Sequence, residues 1–318
     1  MKYVTLGKTD LVCSCIGIGG AHYEGKSALE FERNVSLLLA AFEHGINVFD
    51  SCEAYSGGYS EAFIGAFLEK IGIHRRSEIV ILTKLNSKDM EGRERKNAGE
   101  LIDACDHCLL RLKTGYIDVL QTHDFDVKYI EMYLEAFERL QAAGKIRHYG
   151  VSHDRIGYVR EFDRYGRMGT VQLGYSIFGR ELAMDLIPHC VERNYGTVVR
   201  TPLYCGLLTG AYLSLDDFAE GDSRKKKILS SESNIRIFHE MTGRIRELIK
   251  LVPPGTTLAQ VALAYVVAQP GLHVVIPGAF TPEQVGQNAK AGDLELGEAL
   301  LRAIEEQVPA THPGLYIA

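Results

Sequence analysis

Three side chains able to hold or move a proton stand at the ends of three short apolar runs. Ile46-Asn47-Val48-Phe49 leads into Asp50, Ile79-Val80-Ile81-Leu82-Thr83 into Lys84, and Ile117 to Thr122 into His123, with Tyr55 a few residues past Asp50. Taken singly, each has an ordinary structural role. Asp50 could cap a turn, Lys84 close an ion pair, His123 sit hydrogen-bonded in the core and Tyr55 pack, because structural networks also use such residues. Taken together they make chemical sense. A phenol with a reference pKa of about 10 exchanges protons poorly near neutrality, and an ammonium beside it lowers that value. A carboxylate then keeps the ammonium charged and oriented, while an imidazole hydrogen-bonds a carbonyl oxygen. The sum is a general acid, Tyr55, aimed at a carbonyl that becomes an alkoxide, and a hydride donor is the reagent needing such a partner.

Something must bring these strand ends to one place. Short β-branched runs alternate with amphipathic stretches of ten or more residues along most of the chain, the pattern of a repeated βα unit. Strands are expected at Cys15–Ile18, Ile46–Asp50, Ile79–Lys84, Ile117–Thr122, His148–Val151, Thr170–Leu173, Thr197–Arg200 and Val274–Pro277. Helices are expected at Phe31–His44, Ser60–Leu68, Ala98–Leu110, Lys128–Ala143, Ile156–Tyr165, Leu182–Arg193, Thr257–Ala268 and Pro282–Ala291. Eight such units close a parallel sheet into a (β/α)8 TIM barrel, whereas an open doubly wound sheet usually stops sooner. The expectation is a single-domain barrel over residues 1–318. Val4–Leu6 and Leu11–Val12 read as a hairpin plugging its floor, and Leu213–Lys250 as an insertion after the seventh strand carrying a helix, Ile235–Leu251. Loops after barrel strands build the active site, so the 211–250 segment is a candidate lid or a plain surface excursion. A lysine ending a barrel strand also allows a different chemistry, a Schiff-base aldolase with Lys84 as nucleophile.

Composition narrows the field. The 318 residues are 46% hydrophobic and 24% charged, enough for a large core, and 35 basic against 41 acidic residues give a net charge of −6. That balance argues against a nucleic-acid partner held by phosphate neutralisation. The basic run Arg224–Lys227 reads as a solvated charge run. No apolar run reaches the roughly 18 residues of a spanning helix, and the first ten residues carry no signal-peptide pattern, so no membrane partner and a cytoplasmic location are expected. Seven scattered cysteines lack the paired spacing of a structural zinc site, so no metal is expected. Cys105 and Cys108 form a C-x-x-C, but three residues apart is also the spacing of one helix face. Oligomeric state leaves no mark in the sequence.

Several separated stretches carry a resemblance. NVFDSCEAYSGGYSE (47–61), ILTK (81–84), YIDVLQTHDFD (116–126), GKIRHYGVSH (144–153) and IPGAFTPEQVGQNAKA (276–291) together resemble the aldo-keto reductases. The resemblance implies a barrel that binds a nicotinamide cofactor without a Rossmann fold, and Asp50, Tyr55, Lys84 and His123 match the family's catalytic four. It fits that Gly17-Ile18-Gly19-Gly20-Ala21-His22 places His22 where a G-x-G-x-x-G fingerprint needs its last glycine.

The resemblance implies further that Ser152 and Gln172 meet the nicotinamide carboxamide, with His153 standing where Asn is common. Arg200, in Val199-Arg200-Thr201-Pro202-Leu203, takes the place of an aromatic ring that stacks on the nicotinamide, and a guanidinium plane can also stack. Gly206 and Leu208 would line the pyrophosphate, and Gln287 and Asn288 the adenine. Several members carry Arg at the position of Gln284 and Lys at that of Gly278, cations suited to a 2′-phosphate. NADP(H) is therefore expected first and NAD(H) as the alternative. The implied activity is reversible hydride transfer to an aldehyde, ketone or aldose, a small-molecule carbonyl or sugar. Relatives among the potassium-channel beta subunits imply another reading, a nucleotide-binding regulatory subunit.

Overall fold

The computed structural model describes residues 1–21, 23, 27–181 and 184–309. Two strands, β1 (Tyr3–Thr5) and β2 (Val12–Ser14), pair antiparallel as a hairpin. Eight parallel strands follow: β3 (Ile18–Gly19), β4 (Val48–Asp50), β5 (Val80–Leu85), β6 (Ile117–Thr122), β7 (Ile146–Ser152), β8 (Thr170–Gly174), β9 (Gly196–Arg200) and β10 (Val274–Val275). They hydrogen-bond in sequence order. A parallel bridge from Ile16 to Val275, with Gly17 N donating to Val275 O at 2.8 Å, joins the last strand to the first and closes the (β/α)8 barrel.

Helices α1 (Ala28–Glu43), α2 (Tyr59–Ile71), α3 (Ala98–Leu112), α4 (Ile130–Ala142), α5 (Ile156–Phe162) and α6 (Leu186–Arg193) return the chain between successive strands. Their starts are written locally: Ser27 and Glu30 form a capping box for α1, and Asn97 caps α3. Helix α5 ends three residues before its predicted limit, because Asp163 turns its carboxylate to Met168 N, Arg193 and Tyr195 and becomes a corner instead of a helical turn. The insertion between β9 and β10 holds two helices where one was expected, α7 (Ser223–Ile228) and α8 (Glu232–Leu251). Helices α9 (Leu258–Val267), α10 (Pro282–Lys290) and α11 (Glu298–Gln307) complete the described chain, and α8 packs on α11. His22 and the start of the helix expected at Leu182–Arg193 lie outside the described residues. Among the described residues no helix is long and apolar enough to cross a membrane.

Strand side chains alternate faces with a period of two, and the core divides accordingly. Phe49, Ile81, Leu120, Leu173 and Val199 belong to the large cluster shared with the helices, while Val48, Leu82, Val119, Val198 and Val274 form a separate cluster with Leu6, Leu11 and Cys13 of the hairpin segment. Two residues further along the inward rows stand Asp50, Lys84, Gln121 and Arg200. Gly150 keeps this interior passable, since a Cβ there would lie 2.1 Å from Thr170 O. Cys105 and Cys108 are fully buried free thiols on the inner face of α3.

Candidate active site

At the carboxyl ends of the strands, Lys84 is wholly buried and donates to Asp50 Oδ1 at 2.8 Å, Asp50 Oδ2 at 2.7 Å and the Ser51 carbonyl at 2.7 Å. These contacts hold the ammonium against the carboxylate, beside Tyr55. Burial alone would lower this lysine, but Asp50 and then Tyr55 and Cys52 outweigh it and hold it above its ordinary value. The same ammonium lies 5.0 Å from the centroid of the Tyr55 ring. Tyr55 opens a tight turn with Ser56 and Gly57 in left-handed backbone before α2 begins. His123 follows β6, its amide donating to Leu85 O, and its ring stands edge-on to Tyr55 with centroids 6.0 Å apart. The structure thus brings Asp50, Tyr55, Lys84 and His123 into one mouth.

One expectation is corrected. Lys84 does pull the Tyr55 phenol downward, but burial pushes it up by more, and the net direction is above the ordinary value. A buried phenolate loses hydration that one ammonium, already shared with Asp50, does not replace. Tyr55 is therefore a firm phenol at neutral pH. His123 is pushed down to about 4 by burial first, then by Lys84 and Arg200, and is neutral there.

Around these four lie further partners, two of them read from the sequence as cofactor contacts and the others not singled out there. Gln172 donates to Asp50 Oδ1 at 2.7 Å, and Ser152 donates to Gln172 Oε1 at 3.3 Å, so two residues read as cofactor contacts are continuous with the carboxylate. Strand parity carried the signal: Gln172 is two residues past the inward Thr170. Glu53, two residues before Tyr55, is buried, takes Arg95 on both oxygens at 2.6 and 2.8 Å and accepts from Asn86 N at 2.9 Å. This pair ties the loop after β5 to the loop bearing Tyr55. Cys52 Sγ lies 3.5 Å from His123 Nδ1. No local pattern announces these contacts.

The remaining predicted positions fall on the same rim. His153 is buried and stacks on Tyr158 with centroids 4.3 Å apart. Its Nδ1 accepts from Arg155 N at 2.8 Å, and its buried Nε2 has no hydrogen-bond partner. Arg200, at the end of β9, pairs with Asp154, which also accepts from Gly174 N at 2.7 Å. The guanidinium is already held by an acid that the sequence reading did not weigh. Beyond it Pro202, Leu203, Gly206 and Leu208 line a loop with left-handed backbone at Thr201, Tyr204, Cys205 and Gly206.

Arg224 corrects a second expectation. It is not part of a solvated run: its Nε and Nη2 donate to the Asp222 carboxylate at 3.1 and 2.7 Å, its Nη1 donates to Cys205 O at 2.9 Å, its guanidinium stacks 4.1 Å from the Tyr212 centroid, and a Cβ on Gly206 would meet it at 3.0 Å. After β10, Thr281 caps α10 by accepting from Gln284 N, and the exposed Gln284 side chain accepts from Phe280 N at 2.8 Å. Asn288 donates to Gly278 O at 3.3 Å, and Gln287 offers its carbonyl to Gln260 at 3.1 Å. No cation takes the places of Gln284 and Gly278.

Comparison with known proteins agrees with this geometry. A model of the Aldo/keto reductase family matches residues 15–308. Among curated relatives, the NADH-specific methylglyoxal reductase of Escherichia coli is 28% identical, over 98% of this chain and 99% of its own. A putative voltage-gated potassium channel subunit beta of Schizosaccharomyces pombe is 30% identical, over 95% of this chain and 91% of its own. Among solved structures, an aldo-keto reductase of Klebsiella pneumoniae in complex with NADPH superposes with a TM-score of 0.74 at 26% identity, covering 97% of this chain and 95% of that one.

Proposed function

The chain belongs to the Aldo/keto reductase family, and from that premise we propose that it is a nicotinamide-dependent reductase of a small aldehyde, ketone or aldose, acting in the cytoplasm. Tyr55 serves as acid in reduction and base in oxidation. The observation that carries this reading is a wholly buried ammonium, Lys84, bonded to Asp50 and set against a phenol at the carboxyl end of a barrel.

The surroundings fit the cofactor. The unpartnered, buried Nε2 of His153 offers a donor and the Ser152 hydroxyl oxygen an acceptor for a carboxamide, and Arg224, paired with Asp222, reaches over the Gly206 loop toward a pyrophosphate. Gln172 joins them, with Arg200 beside the ring and Gln287 and Asn288 toward the adenine. Bound there, the reduced nicotinamide supplies a hydride. Tyr55 gives its proton to the carbonyl oxygen as negative charge gathers on it. Lys84 steadies the phenolate left behind, Asp50 and Ser51 O keep Lys84 charged and aimed, and neutral His123 donates a hydrogen bond that fixes the oxygen's direction.

NADP(H) stands first, as in the Klebsiella structure, and NAD(H) second. The absence of a cation at Gln284 and Gly278, together with the NADH-specific relative, supports use of both. A second reading has its own support in the relative named as a channel subunit: a barrel that binds nucleotide and regulates a partner. Turnover of para-nitrobenzaldehyde with NADPH and with NADH separates the two. Steady consumption of either cofactor supports the reductase; tight cofactor binding without consumption supports the regulatory subunit. The Schiff-base aldolase is disfavoured because the Lys84 amine is an ammonium bonded to Asp50 and no free nucleophile. A borohydride-trapped adduct at Lys84 would restore it.

A further inference from the structure

His123 is neutral, so it carries one proton, and the nitrogen that carries it decides whether it can donate to a carbonyl oxygen at Tyr55. We propose that Cys52 selects the tautomer: its thiol donates to His123 Nδ1, which leaves the proton on Nε2, the nitrogen free to serve the substrate oxygen. Cys52 is thus a positioning residue acting through His123, an inference that rests on the reductase reading.

The geometry is specific. Cys52 Sγ lies 3.5 Å from His123 Nδ1 and is wholly buried, within reach of a sulfur hydrogen bond. On its other side the Asn86 side-chain amide donates to the same sulfur at 3.9 Å. With one lone pair of the sulfur facing the Asn86 amide, the thiol has one hydrogen to give, and the Nδ1 of a His123 protonated on Nε2 is an acceptor within its reach. The direction is reinforced by burial, which pushes the Cys52 thiol up to about 12 against the opposing pull of Lys84, so the sulfur keeps its proton. Asn86 is itself fixed, its N–H on Glu53 and its carbonyl on Arg95, so the donor to sulfur is anchored by the buried pair that holds the Tyr55 loop. The ring is pinned from the backbone side as well, through His123 N to Leu85 O at 2.9 Å. With Nδ1 turned to Cys52, the opposite edge of the imidazole is the one left for the mouth that it shares with Tyr55.

The test reads the tautomer directly and apart from activity. Histidine is labelled with the heavy nitrogen isotope, and the His123 signals are assigned by their loss in His123→Asn. In the wild-type protein, with and without NADPH, Nδ1 is expected at the shift of an unprotonated acceptor and Nε2 at that of a protonated nitrogen. Cys52→Ala should move both shifts toward those of exchanging tautomers and lower kcat for para-nitrobenzaldehyde about three- to tenfold, the worth of one modest hydrogen bond, with KM little changed. Cys52→Ser, which keeps a donor, should restore both. A wild-type proton on Nδ1, or unaltered shifts in Cys52→Ala, overturns the proposal, and the wild-type spectrum alone decides if that variant does not fold. Absence of turnover in wild type alongside the expected shifts would instead sink the reductase reading.

Discussion

At the scale of single residues, the account turns on a charge taken fully out of water. Lys84 and Asp50 are buried together, and neither can lose the other cheaply, because an uncompensated charge in such a place costs several kcal/mol. Lys84→Met should therefore destabilise the protein by about 3–5 kcal/mol in urea unfolding, and Asp50→Asn added to it should recover part of that loss. Equal stability of Lys84→Met and wild type would mean that Asp50 finds another partner. Gln172 is the obvious one, since it already donates to Asp50 Oδ1. The strand-end residues were legible in the sequence because parity is local: Leu82 to Lys84 and Val119 to Gln121 to His123 run inward by twos. The upward direction at Tyr55 was not, since it depends on how much water the closed barrel removes.

At the scale of elements, the proposed function gives the cofactor's hold to two segments after strands. Arg224 reaches the Gly206 loop from α7, and a pyrophosphate is common to both nicotinamide cofactors. Arg224→Ala is expected to weaken NADPH and NADH alike by about tenfold or more in fluorescence titration, the loss of a charge-assisted contact. A loss confined to NADPH would move Arg224 to the 2′-phosphate instead. Gln284 lies exposed in the first turn of α10, behind the Thr281 cap. Gln284→Arg should raise the ratio of turnover efficiency with NADPH over NADH, and an unaltered ratio would count against the pocket's location. Most helices and strands followed from periodicity, but the first barrel strand, expected at Cys15–Ile18, is Ile18–Gly19, and α7 was not expected. What escaped were pairings made by closure: Arg95 on Glu53 lies 42 positions away, Arg200 on Asp154 lies 46, and Cys52 on His123 lies 71. Such contacts have no pattern to read until the strands are in register.

At the scale of the whole molecule, burial in the barrel holds below their ordinary pKa three imidazoles that the unfolded chain would let charge, His123, His153 and His273. His123 and His153 each fall from 6.5 to about 4, burial being the first cause in both. The unfolded state then binds more protons between those values, so stability is complete above the unfolded pKa and is lost as pH falls toward the folded one. Urea midpoints should drop between about pH 7 and about pH 5, and His153→Asn should flatten that drop; identical slopes would show that the His153 ring is not held neutral by the fold. The central claim concerns the assembled site, four side chains serving one oxygen, and Tyr55→Phe in the NADPH-bound protein tests it most directly. In a single turnover with para-nitrobenzaldehyde, we predict unchanged NADPH affinity and reduction slower by about a hundredfold or more. Reduction at the wild-type rate would contradict it.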